Sequence, residues 1–519
     1  MESGATAGPD DQSGRSGSEV SEPRRISVLL TTEGTYPHGS GGVSTWCDAL
    51  IRNTPEVYYT LVPIMMNPHI ELKYDPPPNT RRVINVPLWG IEEPAEFLTD
   101  ITFAALHIRK RDTTDSIIER QFVPLFRDLL EGINRAGQDA AAFGRVLVAM
   151  EDYFREHDYN KTFKSRPVWV AFRESMEKYS RHIESSNRLP GPDFQRPSLF
   201  DLTESLRWLY RFLMIVNVRL PRTTLTHSTA AAFCGIPCIT AKVRNGTPMI
   251  LTEHGVYVRE QNLFLSRFHR LFFAKQFLLN LITAVSRANY HHADIISPVC
   301  HYNTRWEVAQ GVARDKIRVI YNGVDPDRFV PAAREPNEQR VVATARIDPL
   351  KDIETFLRMA ALVHETNPRA RFAVYGAVAD RDYFAKCLSL RHELGLDGVV
   401  EMGVEAGNVV AAYQSADVIA LTSVSEAFPY SVLEAMSCGK AVVATDVGGV
   451  REALESNGAL VPPRDAEALA GEVRRMLDDP ALRARLGARA RATIVDKFRV
   501  DHTIARYLDL YTELSERAA

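Results

Sequence analysis

Apolar residues along the chain occur either in short compact runs or in longer stretches where they recur every three or four positions. The first compact run is Ile26 to Thr31, bounded by Pro23 and Gly34; it predicts a buried strand. A glycine-rich loop, TYPHGSGGVS, follows, and a helix is expected from about Ser44. From about Pro94 to Leu220 the pattern changes. Phe122, Leu125, Phe126, Leu129, Leu130 and Ile133 share one helical face, so this region reads as a helical insertion in an otherwise alternating domain. Packing is its ordinary role and acceptor or partner recognition its functional one. Alternation resumes with Pro248 to Thr252, a helix-like stretch at 262–292, Asp294 to Ser297 and Ile317 to Tyr321.

Beyond Asn322 the alternation is cleaner. Strands are expected at Arg340 to Ala345, Arg371 to Tyr375, Val399 to Met402, Val418 to Leu421 and Ala441 to Ala444. Helices separate them, one starting near Ile353 and another around Val432 to Cys438 that stops at Gly439. Strands joined through helices of this length make parallel sheets with right-handed crossovers. The predicted fold is therefore α/β, with two Rossmann-like domains facing across a cleft. The first spans 24–325 with the insertion at about 94–220, and the second spans 326–495. A C-terminal helix, 496–519, is expected to pack back toward the first domain. Ligands of open α/β sheets bind beyond the carboxyl ends of the strands, so the chemistry belongs in the cleft.

Composition narrows the function classes. A chain of 519 residues is long enough for two large domains or about three of roughly 150 residues. Its 45% hydrophobic and 24% charged residues are those of a globular protein. The net charge of −3 argues against a nucleic-acid partner, which calls for a basic excess. Residues 1–23 have almost no large apolar groups and read as a disordered tail without the features of a secretion signal. The longest suspicious apolar stretch, Leu271 to Val285, is interrupted by Lys275, Gln276 and Asn280, short of the roughly 20 residues a bilayer requires. Six cysteines without a CxxC pair fit a reduced, cytoplasmic protein. Cys234 and Cys238 are better read as small core residues than as a redox or zinc pair.

Three places hold candidate chemistry. The loop Gly39-Ser40-Gly41-Gly42 can bring bare backbone N–H groups and a helix N-terminus to an anion, although it is equally well read as a tight turn. Ser44 stands where the third glycine of GxGxxG would be, so a nicotinamide enzyme is disfavoured. Arg346 and Lys351, just past a strand, can neutralise a diphosphate and help it leave; the alternative is a structural ion pair and a solvated lysine. Glu426 precedes Pro429, a helix-start residue, and Glu434 lies a turn inside that helix. Either carboxylate alone can serve the helix dipole. Together, and with backbone donors near Ser431 and Val432, they can hold the ribose and phosphates of a nucleotide with Glu426 facing its sugar. Two metal-like patterns are set aside: Asp325-Pro326-Asp327 sits in a turn context after Asn322-Gly323, and His291-His292 occupies adjacent helical positions, which point to different faces.

Glu426 and Glu434 with seven residues between them, preceded by ARIDPLKD and followed by GKAVVATDVGGVREAL, resemble the E-x7-E signature of glycosyltransferase family 4. The likeness extends over nearly all of 26–500 and includes YNGVDPDRF. The segments EGTYPHGSGGVSTW and LTEHGVYVRE, with the insertion, are similar to the PelF-like group, associated with Pel exopolysaccharide synthesis. The resemblance implies a GT-B fold and retaining transfer from a UDP-sugar, UDP-glucose or a relative, to a glycan acceptor with no metal and no cofactor. It assigns Arg346 and Lys351 to the diphosphate, Glu434 to the ribose, Glu426 and His254 to the donor sugar, and Gly41 and Gly42 to the phosphate from the opposite domain. His254 alone would otherwise read as a structural histidine. The implied mechanism is front-face attack with the leaving phosphate helping to deprotonate the acceptor. Glu426 as a nucleophile is disfavoured because no second carboxylate is evident as its acid partner. The setting implied is cytoplasmic, peripheral to the inner membrane through a polysaccharide synthase complex. A non-catalytic donor-binding scaffold subunit is the alternative, and an epimerase or a disaccharide synthase of the same fold is a third reading.

Overall fold

Ser27–Glu33 forms β1 because five consecutive residues, Val28 to Thr32, are buried on both faces of a sheet. The computed structural model describes residues 25–91, 101–185, 196–266, 272–333, 338–404 and 407–518; the expected tail and the start of the insertion at about 94 lie outside them. β1 pairs in parallel with β2 (Tyr58–Met65) on one side and β5 (Leu225–Ser228) on the other. β3 (Thr80–Val83) and β4 (Val86–Pro87) extend one side, and β6 (Met249–Glu253) and β7 (Ile295–Pro298) extend the other, in the order β3-β2-β1-β5-β6-β7 with β4 against β2. The second sheet, β10-β9-β8-β11-β12-β13, comprises β8 (Arg340–Thr344), β9 (Arg371–Tyr375), β10 (Val400–Val404), β11 (Val418–Leu421), β12 (Ala441–Thr445) and β13 (Ala459–Val461). Both are parallel and doubly wound, so the two Rossmann-like domains expected from the alternation are present.

The insertion folds as helices, among them Phe103–Asp112, Val123–Asn134, Ala140–Glu156, Arg166–Ser185 and Leu199–Phe212. Its aromatic centre packs closely: Phe122 lies 5.0 Å from Tyr153, 5.3 Å from Phe154 and 5.5 Å from Phe163 between ring centroids. These residues join Leu29, Val62 and Leu251 of the sheet in one apolar cluster. The insertion thus covers one face of the first sheet. The opposite face packs on the C-terminal helix Val500–Ala518. There His227 is buried with Nδ1 2.7 Å from Tyr511 OH and Nε2 2.7 Å from Thr252 Oγ1, and Thr252 Oγ1 lies 3.0 Å from Tyr507 OH. Loss of water lowers the pKa of this imidazole to about 3, so it stays neutral and ties the last helix to the first sheet.

Two sequence expectations change in the structure, and one strand was not foreseen. The segment 262–292 is not one helix: Tyr257–Leu265 and Phe272–His292 are separate, with 267–271 between them outside the described residues. Ile317 to Tyr321 is not a strand. Arg318 and Ile320 donate to the carbonyls of Ile296 and Pro298 at 2.9 and 3.1 Å, but only a bridge at Ile317 forms before the chain crosses to the other domain. β2 carried no sequence expectation although seven of its eight residues are buried. Among the described residues no helix is long and apolar enough to cross a membrane.

Candidate active site

The order of the second sheet reverses between β8 and β11, and this switch point opens a crevice beyond their carboxyl ends. The loop after β8 carries Arg346 and Lys351. It is held to the loop after β11 by Val424 N–H to the Leu350 carbonyl at 2.9 Å and Thr422 Oγ1 to the Lys351 carbonyl at 2.8 Å. Across this junction Lys351 Nζ meets Glu426 Oε1 at 2.5 Å, and Ser423 Oγ donates to the same oxygen at 2.6 Å. Side-chain exposures of 19% for Lys351 and 10% for Glu426 mark a shielded pair. Arg346 is different: 58% of its side chain is exposed, and its contact with Asp348 is a loose 3.5 Å. An exposed guanidinium beside a shielded ammonium suits an anion with several oxygens.

The Glu426 loop has a backbone prop that sequence reasoning missed. Gly448 has φ +58, and a Cβ there would lie 1.7 Å from the Glu426 carbonyl oxygen. Gly449 N–H donates to the Ala427 carbonyl at 2.6 Å. The signal was the Gly-Gly of ATDVGG, interpretable only once its contact was known.

Glu434 lies on the helix Tyr430–Ser437, whose N-cap is Pro429. Its Oε2 accepts from Tyr413 OH at 2.7 Å, and Tyr413 OH is 2.6 Å from Thr344 Oγ1. Burial pushes the carboxyl up to about 7, against the lowering effects of the Tyr413 bond and Arg328. Glu434 therefore titrates near neutrality as a hydroxyl acceptor at the crevice floor. Ser431 is half-buried and Val432 buried at the start of the same helix. Val432 N–H is 3.2 Å from the Pro429 carbonyl, so it is partly engaged within the helix.

The first domain supplies the opposing wall. Gly41, φ +142, is the N-cap of Gly42–Arg52 with no side-chain cap, and a Cβ there would meet nothing within 4 Å. Gly42 packs on Tyr430, whose Cδ2 would be 3.1 Å from a Cβ. The glycine loop therefore abuts the helix carrying Ser431, Val432 and Glu434. His254 follows β6 with its ring edge-on to Trp46, centroids 4.8 Å apart. Its Nε2 is buried without a hydrogen-bond partner among the described residues, and burial lowers its pKa to about 3. A neutral imidazole with an unused nitrogen remains for a polar ligand.

Helix Tyr257–Leu265 closes the wall. Tyr257 OH donates to Glu33 Oε1 at 2.8 Å, tying the helix to the end of β1, and Arg259 Nη1 reaches across to Ser425 Oγ at 2.6 Å. The next residue, Glu260, is a first-domain carboxylate whose electrostatic neighbours include Glu426. Its pKa is raised by desolvation first, countered by Arg259, raised by Glu426 and lowered by Lys351 and Arg346. Sequence reasoning missed both residues because their meaning depends on the other domain. The set-aside patterns sit elsewhere. Asp325 Oδ1 accepts the Asp327 and Arg328 N–H groups at 2.9 and 3.3 Å in a turn, and His292 Nε2 is 3.3 Å from the Ala140 carbonyl. The six cysteines are buried and free. Among the described residues no group of three or more His, Cys, Asp or Glu side chains is placed to hold a metal ion.

Residues 326–493 match the family model described as glycosyl transferases group 1, and residues 26–315 match the one described as domain of unknown function DUF3492. A D-inositol 3-phosphate glycosyltransferase from Saccharomonospora viridis is 35% identical over 222 residues, covering 39% of this chain and 51% of that protein. The chain thus spans about half the length of the curated relatives it matches. A sucrose-phosphate synthase structure from Thermosynechococcus elongatus superposes with TM-score 0.58 at 19% identity, over 94% of this chain and 99% of that one. A glycosyltransferase structure from Rickettsia africae gives TM-score 0.52 at 14% identity, over 95% and 99%. These likenesses establish the GT-B fold, and the second domain is a glycosyltransferase group 1 domain. Because the first model accounts for more than half of the 519 residues, the chain belongs to the DUF3492 family.

Proposed function

We propose that the protein is a retaining, metal-independent glycosyltransferase that moves a sugar from a UDP-sugar, UDP-glucose or a relative, to a growing exopolysaccharide or other glycan acceptor. The observation that carries this is the convergence of Lys351, Arg346 and Glu426 at the switch point of a glycosyltransferase group 1 domain, with Glu434 on the adjoining helix. In this reading Arg346 and Lys351 hold the diphosphate, Glu434 the ribose, and Glu426 and His254 the donor sugar. Gly41 and Gly42 approach the phosphates from the first domain, and the first turn at Ser431 and Val432 lies beneath them. The acceptor oxygen attacks the anomeric carbon as its bond to the diphosphate breaks. The acceptor proton passes to the departing phosphate oxygen, whose charge the two cations stabilise. The PelF-like segments support an exopolysaccharide acceptor and a cytoplasmic protein that meets the membrane through a synthase complex.

The test incubates the purified chain with UDP-, GDP- and ADP-sugars and measures nucleotide release with and without EDTA, with the product anomer assigned by NMR. UDP release that survives chelation, with retained configuration, is the expected result. Activity abolished by EDTA and restored by manganese overturns the metal-free step. UDP binding with no release under any condition turns the reading to a donor-binding scaffold subunit.

A further inference from the structure

Glu260 is a carboxylate of the first domain that none of the roles above uses. It lies in the first turn of Tyr257–Leu265, and the residue is exposed. Its side chain folds back over the loop after β6: a Cβ on Gly255 would fall 2.0 Å from Glu260 Oε1 and 2.9 Å from Cδ. Gly255 is thus the residue that lets this carboxylate sit beside His254, and any larger side chain would push it away. The preceding residue, Arg259, bonds Ser425 across the cleft at 2.6 Å, which brings this turn against the loop that carries Glu426. The Arg259–Ser425 bond thus sets Glu260 on the first-domain wall beside the Glu426 loop, and Glu426, Lys351 and Arg346 are among the charges that act on its carboxyl.

We propose that Glu260 is the acceptor-orienting carboxylate of this site, accepting a hydrogen bond from a hydroxyl of the incoming sugar. This rests on the sugar-transfer reading above. A donor sugar lying against Glu426 leaves the approach to its anomeric carbon from the first-domain wall, where Glu260 is the facing acceptor. An ionised carboxylate receives hydroxyl hydrogen bonds about twice as strong as neutral groups do. It repels a second anion, so the acceptor class it fits is a neutral or cationic sugar rather than a phosphorylated or uronic one. Glu260 takes no proton in the reaction. The acceptor oxygen forms its bond to the anomeric carbon, the bond to the diphosphate breaks, and the proton leaves with the phosphate.

The experiment compares the full chain with Glu260→Ala and Glu260→Gln. UDP affinity is measured by calorimetry, and UDP-glucose turnover is followed by NMR with water alone and with a set of methyl glycosides, neutral, amino and uronic. The result read is the ratio of glycosylated product to hydrolysed donor. The expected result is a ratio lowered about tenfold or more in Glu260→Ala, the loss of one hydrogen bond to a charged group, with partial recovery in Glu260→Gln and UDP affinity unchanged. Neutral or amino glycosides should be preferred over uronic ones. An unchanged ratio, UDP affinity that falls in parallel, or a wild-type ratio that no glycoside raises above water overturns the role. Failure of the wild-type chain to bind UDP or consume any nucleotide sugar instead sinks the sugar-transfer reading, and the role of Glu260 with it.

Discussion

Lys351 Nζ stands 2.5 Å from Glu426 Oε1 although the two belong to loops that follow different strands, β8 and β11. In the proposed mechanism the pair joins the diphosphate position to the sugar position, and each residue would lower the barrier in a different way. Glu426→Ala and Lys351→Ala are each expected to reduce UDP release from the donor by about 10²- to 10³-fold, the scale of losing one transition-state electrostatic contact. Lys351→Ala should also weaken UDP binding, whereas Glu426→Ala should not. Circular dichroism should be unchanged. Because each single change leaves a shielded charge without its partner, the Lys351→Ala/Glu426→Ala double variant should lose less thermal stability than the sum of the singles. Additive losses would show that the pair does not interact in solution.

Glu434 gives a pH prediction with a defined sign. Its folded carboxyl titrates near 7, against about 4.3 in an unfolded chain. A folded pKa above the unfolded one means stability that is full below about 4.3 and lost as pH rises to about 7, with a slope of at most about 1.4 kcal/mol per pH unit. Glu434→Gln removes this term. Its denaturant midpoint, followed from pH 4.5 to 8, should fall less steeply with pH than that of the wild type, and the variant should be the more stable near pH 8. Parallel curves would remove the assigned shift. Nucleotide affinity should move the other way in the wild type, rising toward pH 8 as the carboxylate forms.

The residues legible in the sequence are those whose meaning is local. Arg346 and Lys351 follow an apolar run that is itself a strand, and Glu426 precedes a proline-started helix that carries Glu434, so local pattern put the first three in loops past strands and the fourth on a helix. Arg259 was not legible because its partner, Ser425, lies in the other domain, and no periodicity records which loops face each other. Ile317 to Tyr321 has the composition of a strand, but pairing on one side stops after Ile320. His254 shows the intermediate case: its position after β6 was readable, while the Trp46 contact that fixes its ring is set by a helix more than 200 residues earlier.

Gly448 tests how tightly the Glu426 loop must be held. With φ +58 and a virtual Cβ 1.7 Å from the Glu426 carbonyl oxygen, Gly448→Ala must shift the 426–427 backbone. The left-handed conformation costs about 1 kcal/mol on its own, and the clash adds to it. Turnover is expected to fall tenfold or more, because displacement of a reacting-site group by about 1 Å can cost 10²-fold. UDP affinity should change less than turnover, since Glu434 is held by Tyr413 and Arg346 contacts Asp348, both outside that loop. Equal losses in turnover and UDP binding would mean that the whole domain, not the loop, had moved.

Glu452 is the clasp between the two domains. From Val450–Leu454 its carboxylate accepts the N–H groups of His301 and Tyr302 at 2.8 and 2.6 Å and the Tyr321 hydroxyl at 3.0 Å. The two N–H groups open the helix His301–Ala309 in the first domain, so a carboxylate from one domain caps a helix of the other and meets its dipole favourably. Glu452→Ala leaves these donors without that partner and should destabilise the chain by about 1–3 kcal/mol. Amide exchange at His301 and Tyr302 should speed up markedly, while amides of β11 and β12 keep their protection. Glu452→Gln, which still offers one carbonyl oxygen, should recover part of the loss. If the 301–302 amides exchange at the wild-type rate in Glu452→Ala, the clasp does not hold the domains in solution.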